Sequence, residues 1–110
     1  MTDTMKILGQ STPSASTATT LYTVPTSTKT VVSHLTVCNT NAPGTGALVR
    51  VWFAVNGAGD DAKQRIYSDY YLDGSETLVT PGATLGAGDL IRIQSDTANV
   101  AFQAFGDELT

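Results

Sequence analysis

The sequence predicts an all-β fold: a single antiparallel β-sandwich, jelly-roll-like, of about seven to eight strands. Three observations carry this. The 110 residues include eighteen threonines, with Val, Tyr and Phe beside them, while Lys and Arg together number only six. That balance favours pleated, half-buried surface over helix. Apolar residues alternate with polar ones in the longer runs, the period of a strand with one buried face. Clusters of Gly, Pro, Asn and Asp interrupt those runs at short intervals, where turns belong. The length suits one domain and is enough to bury a core without disulfide staples.

Taken in order, residues 1–20 read as an extended N-terminal arm or loop with room for a short first strand, and 20–110 as the sandwich. Residues 11–20 are low-complexity Ser, Thr, Ala and Pro, too small to pack much on their own. Thr20 to Val24 is a strand stopped by Pro25, which has no ladder donor. Lys29 to Asn39 is the next strand, with Val31, Ser33, Leu35 and Val37 expected on one face and Val32, His34, Thr36 and Cys38 on the other. Asn39 to Gly46 is a loop. Ala47 to Asn56 has the cleanest period-2 pattern: Val49, Val51, Phe53 and Val55 inward, Leu48, Arg50, Trp52 and Ala54 outward. Residues 62–72 fit either a short helix after an Asp60 cap or a strand rich in tyrosine, and the all-β surroundings favour the strand. Glu76 to Thr80 follows the Asp73-Gly-Ser turn. Pro81 to Gly88 reads as a loop pinned by Leu85. Asp89 to Ser95 and Val100 to Gly106 close the domain, with Ile91, Ile93, Val100, Phe102 and Ala104 inward and Phe105 outward.

The formal charge of −4 and the scattered basic residues argue against nucleic acid as a partner, because phosphate contacts need clustered Lys or Arg. No apolar run approaches the ~20 residues of a membrane helix, so no membrane partner is expected. The N-terminus has no apolar segment of a secretion signal. The single cysteine, Cys38, suits synthesis in a reducing cytoplasm.

No constellation nominates catalysis, a cofactor or a metal. His34 and Cys38 share a strand face, but zinc needs three or four ligands and no second Cys or His exists. Gly57-Ala-Gly59 and Gly86-Ala-Gly88 run into aspartates, which repel phosphate, and so read as turns. No Gly-x-Ser-x-Gly elbow occurs. Asp69, Asp73 and Glu76 match neither a calcium loop nor a glycosidase pair and read as a solvated rim.

The outward aromatics are the candidate site. With the valines of 49–55 in the core, Trp52 faces out beside Leu48 and Arg50. Tyr67 and Tyr71 join it if 62–72 is a strand, each opposite in facing to Tyr70. Trp, Tyr and Arg are the composition of an interface hot spot. Thr12 and Pro13 in the arm complete the expected contact set. The competing expectation is that the N-terminal arm folds back over this face.

Three phrases resemble a known group: Leu8-Gly-Gln-Ser, Thr20-Leu-Tyr-Thr-Val-Pro25 and Val31-Val-Ser-His-Leu-Thr-Val-Cys-Asn39. Leu85-Gly-Ala-Gly-Asp-Leu-Ile-Arg-Ile93 and Val100-Ala-Phe-Gln-Ala-Phe-Gly-Asp-Glu108 have the same look. The whole, apart from Gly57 to Ser75, resembles small all-β virion proteins of tailed bacteriophages. The resemblance implies a compact sandwich without catalytic residues, made in the host bacterial cytoplasm and carried on the virion. Such a protein is a capsid decoration or cement protein, or a neck, tail or baseplate accessory. Its expected partners are itself, as a homo-oligomer taken as a trimer, and other virion proteins such as the major capsid protein. The alternative is a module that binds a host glycan through Trp52, Tyr67 and Tyr71.

Overall fold

The computed structural model describes residues 2–110, which form nine strands and two short 3-10 turns. The strands are β1 Asp3–Ser11, β2 Thr19–Thr23, β3 Lys29–Asn39, β4 Ala47–Ala54, β5 Arg65–Leu72, β6 Thr77–Thr80, β7 Ala83–Leu85, β8 Leu90–Ser95 and β9 Val100–Leu109. One sheet has the order β1-β9-β3-β6, with β7 also paired to β3, and the other has the order β2-β8-β4-β5. Every pair is antiparallel. If β6 and β7 are counted as one broken edge strand, successive strands cross between the sheets except at the β4–β5 hairpin. That order is a jelly roll.

The alternating patterns decide which faces meet. Val49 and Val51 from β4, Ile91 and Ile93 from β8, and Val100, Phe102 and Ala104 from β9 are fully buried. Leu21 and Tyr22, Leu35 and Val37, and Leu72 and Leu85 complete the same cluster. Burying a Leu, Ile, Val or Phe contributes about 1.5–3 kcal/mol, so this layer is the main source of stability. Leu85 is buried as expected, but in the short strand β7 rather than a loop.

Four expectations are corrected. The N-terminal segment is no arm: β1 pairs along β9 from Asp3↔Leu109 to Ser11↔Phe102, and only residues 12–18 form the loop. Met5 and Ile7 alternate around Lys6, a period-2 signal too short to stand out in the sequence. In β3 the register shifts between Val32 and His34. One extra residue in a strand sends every later side chain to the other face. Val32, Leu35 and Val37 therefore point inward, while Val31 is turned out and 42% exposed. In β4 the inward pattern stops at Phe53, and Val55 lies in a 3-10 turn, exposed. Residues 62–64 make a 3-10 turn whose N-cap is Asp61, not Asp60, and 65–72 is a strand.

At one end of the sandwich a polar group replaces the apolar layer. Glu108 is buried beneath β1 and β2, where the Tyr22 hydroxyl donates to it and Lys6 Nζ lies 2.9 Å from its Oε1. Thr30 shares the Tyr22 hydroxyl at 2.8 Å. Those hydrogen bonds hold the Glu108 carboxyl below the usual range, while burial and the adjacent carboxylate push the Tyr22 phenol up to about 12.

Candidate interaction surface

The outer face of the four-stranded sheet carries the side chains singled out from the sequence. Pairing sets Arg50 against Gln94 and Trp52 against Arg92, so these four point away from the core. Trp52 faces outward as expected, yet it is only 2% exposed. Two structures cover it. Arg92 lies over the indole, 5.9 Å from the ring centroid, and donates to Thr20. The chain after β4 also folds back across the sheet, because Asn56 and Gly57 adopt left-handed conformations that reverse it. The expected cover by an N-terminal arm is corrected: that segment is β1 of the other sheet, and the cover is this loop of the same chain.

Charge pins the loop. Asp60 accepts from Arg65 Nε and Nη2 at 2.9 Å each and from Arg50 Nη1 at 3.0 Å. Those guanidinium groups, Arg65 foremost, hold the Asp60 carboxyl below its ordinary value. Arg50 also clamps Asp69, with Nη2 at 2.9 and 3.1 Å from the two carboxylate oxygens. Asp69 reaches it because β5 bulges there: Val49 pairs with Tyr70 and Val51 with Tyr67, leaving Ser68 and Asp69 opposite Arg50 alone. Asp69 takes a left-handed φ of 55° in that bulge. Gln64 closes the loop by accepting from Val55 N and donating to Gly59 O. A cleft of about 490 Å³ remains between the loop and Trp52, Leu90, Arg92 and Gln94.

The same bulge corrects the tyrosines. Tyr67 and Tyr70 lie on one side of β5, their rings 5.5 Å apart, and Tyr67 accepts from Thr80 on the opposite sheet. Only Tyr71, 60% exposed, shares the outer face with Leu48, which is 41% exposed. The tripartite platform of Trp52, Tyr67 and Tyr71 is thus not assembled. Thr12 is exposed in the β1–β2 loop, and Pro13 beside it is buried.

The outer face of the five-stranded sheet was not singled out, and it is the open one. Register places Asp3, Met5, Ile7 and Gln10 of β1 beside Leu109, Asp107, Phe105 and Gln103 of β9. Beyond them lie Lys29, Val31, His34, Thr36 and Cys38 of β3, then Val79 of β6. Met5 is 85% exposed, Val79 60% and Ile7 55%. No loop crosses this face among the described residues, and its charges (Asp3, Lys29, Asp107) sit at one end. His34 and Cys38 both stand on it, and no three His, Cys, Asp or Glu side chains gather as a metal site among the described residues. Nor is any described helix long and apolar enough to cross a membrane. Two signals in the sequence could have marked this face: the Met5–Ile7 alternation, and the surplus valine of the Val31-Val32 pair, of which one face can take only one.

In comparisons with known proteins, the chain matches no protein-family model, no curated protein and no solved structure.

Proposed function

We propose that this chain is a non-enzymatic structural protein of a tailed-bacteriophage virion, a capsid decoration or cement protein that bridges neighbouring shell subunits. The observation that carries the reading is the open outer face of the five-stranded sheet, which exposes Met5, Ile7, Val31 and Val79 together. Met5, Ile7 and Phe105 lie side by side there, with Val31 beyond Asp107 and Val79 on the edge strand, and exposed apolar patches on a sheet face mark assembly surfaces. The strand and turn phrases that resemble small phage virion proteins support it. So does the architecture, since jelly rolls build viral capsid and lectin domains, although a fold alone assigns no role. The shape suits bridging. A body 47 Å long and 20 Å thick has two broad faces and open sheet edges, so it touches several neighbours at once. A neck, tail or baseplate position would use the same surfaces.

The test is quantitative mass spectrometry of gradient-purified particles of the phage that encodes the chain, with a deletion mutant beside it. Many copies per particle and earlier head rupture of the mutant on heating support a cement role. Absence from the purified particles overturns it.

A second reading, a glycan-binding module, is favoured by the cleft beside Trp52, where Asp60, Arg92 and Gln94 offer hydrogen-bonding groups. Arg92 already occupies a face of the indole, so a sugar must stack elsewhere or displace it. Retention on host polysaccharide that is lost in Arg92→Ala while the fold persists would support this reading.

A further inference from the structure

We infer that the open face of the five-stranded sheet is a self-docking surface, occupied by the same face of a second copy about a two-fold axis parallel to the strands. The inference rests on the reading of this face as an assembly surface and names its partner.

Charge placement selects the second copy. The residues sent outward along β1, β9, β3 and β6 are apolar or uncharged over most of their length, with Asp3, Asp107 and Lys29 confined to one end. Depletion of charge with retention of Met, Phe and His suits the centre of an interface. Within its own chain Lys29 forms no ion pair among the described residues, and Asp107 has one carboxylate oxygen buried without any partner. Lys29 is on β3 and Asp107 on β9, the two central strands of the sheet. An axis running along the strands and between β9 and β3 sets β3 of one copy over β9 of the other, level for level. Each Lys29 then stands over the other copy's Leu109, with that copy's Asp107 one side-chain step along the strand and its Asp3 at the flank. Lys29 is level with Leu109 and Asp3, one side-chain step from Asp107. That step is ~7 Å along the strand, within reach of a lysine bridging sheets ~10 Å apart. An axis across the strands instead would lay this charged end on the partner's uncharged end, which carries Gln10, Gln103, Thr36 and Cys38, and leave all three charges without an opposite charge. The face is self-complementary about only one of the two in-plane axes.

The area is adequate. Three strands of nine to eleven residues, with the broken β6/β7 edge beside them, give a footprint of roughly 600 Å², near the ~800 Å² per partner of a standard specific interface. Isologous pairing of this kind makes a dimer, in place of the trimer that the resemblance implies, or a two-fold contact within a larger array. The loop-covered face and the sheet edges of each copy stay outside the pair and free to meet shell proteins.

The experiment is sedimentation velocity of the full chain from about 1 to 100 µM, with four variants whose folding is checked by circular dichroism. The wild type is expected to be a dimer. Ile7→Asp combined with Met5→Asp alters only exposed side chains and should weaken dimerisation at least ~30-fold. Lys29→Asp and Asp107→Lys should each be monomeric alone, because every pair then meets like charge, whereas a mixture of the two should form a heterodimer. Should Asp107→Lys fail to fold, Asp3→Lys takes its place in the mixture. A wild-type monomer at the highest concentration overturns the inference and gives the face to a different protein. An oligomer that survives the Met5/Ile7 double substitution, or a mixture that stays monomeric, also overturns it. None of these outcomes changes whether the chain is found in purified particles, so the two readings fail separately.

Discussion

The two outer faces of this sandwich are built from similar strands and solve opposite problems. On the four-stranded sheet the exposed surface was set to carry a tryptophan and several charges, and the chain covers it with its own β4–β5 connection. Arg50 and Arg65 converge on Asp60 to fasten that loop, and Arg92 lies across the indole. The five-stranded sheet has no such connection, its charges are confined to one end, and its methionine, isoleucine and valines stay open. A large aromatic therefore marks the face that is closed, and modest aliphatic residues mark the face that is available. Composition identifies residues capable of binding, whereas coverage decides which of them remain to do so.

Substitutions should separate the faces by stability. The largest loss is expected for Trp52→Ala, about 3–5 kcal/mol, as for other buried aromatics. Urea unfolding measures it, and a loss below about 1 kcal/mol would mean the indole is surface after all. Next comes Gly106→Ala, where the β3 bulge brings the Val31 carbonyl to 2.1 Å from the position a methyl would take. Two central strands must move apart, at a cost of about 1–3 kcal/mol, and the same unfolding curves report it. Asp60→Asn should cost less, about 1 kcal/mol, because its ion pairs are part-exposed and screened. Its clearer signature is faster proteolysis within residues 57–64. Met5→Ser and Ile7→Ser should leave the unfolding of the monomer within about 0.5 kcal/mol of the wild type, since neither side chain supports the core.

Proton linkage sharpens the same contrast at the Tyr22–Glu108 end. Glu108 and Asp60 both have folded-state values below their ordinary ones. Their contribution is complete above the unfolded carboxylate range and disappears as pH falls through the depressed folded values. Tyr22 has the opposite sign: raised from 10.0 to about 12, it contributes fully below 10 and loses that contribution as pH rises towards 12. The melting temperature should be flat near neutrality and fall on both sides. Tyr22→Phe should remove the part of the alkaline fall that Tyr22 contributes, and Glu108→Gln should flatten the acid limb.

Much of the fold was legible because strand patterns are local. Val49 and Val51, Ile91 and Ile93, and Val100, Phe102 and Ala104 point where alternation places them. Alternation failed wherever a bulge intervened. A single extra residue near Ser33 turned Val31 out, and the pair Ser68–Asp69 put Tyr67 on the same side as Tyr70. A bulge has no strong sequence mark here, since Asp69 takes a left-handed φ without a glycine. The candidate site was less legible than the fold. Leu48, Arg50, Trp52 and Tyr71 do share a face, yet nothing in the sequence said that residues 57–61 would cover the tryptophan.

By itself, then, the sequence determined the all-β class, the turn positions and most inward residues, because these follow from backbone propensity and a two-residue period. The tertiary structure alone decided that β1 completes a sheet and that Asp60 meets Arg50 and Arg65. It also left one outer face bare. Those outcomes depend on which distant segments are brought side by side, and long-range pairing is fixed by the packing of the whole chain, not by any stretch of it.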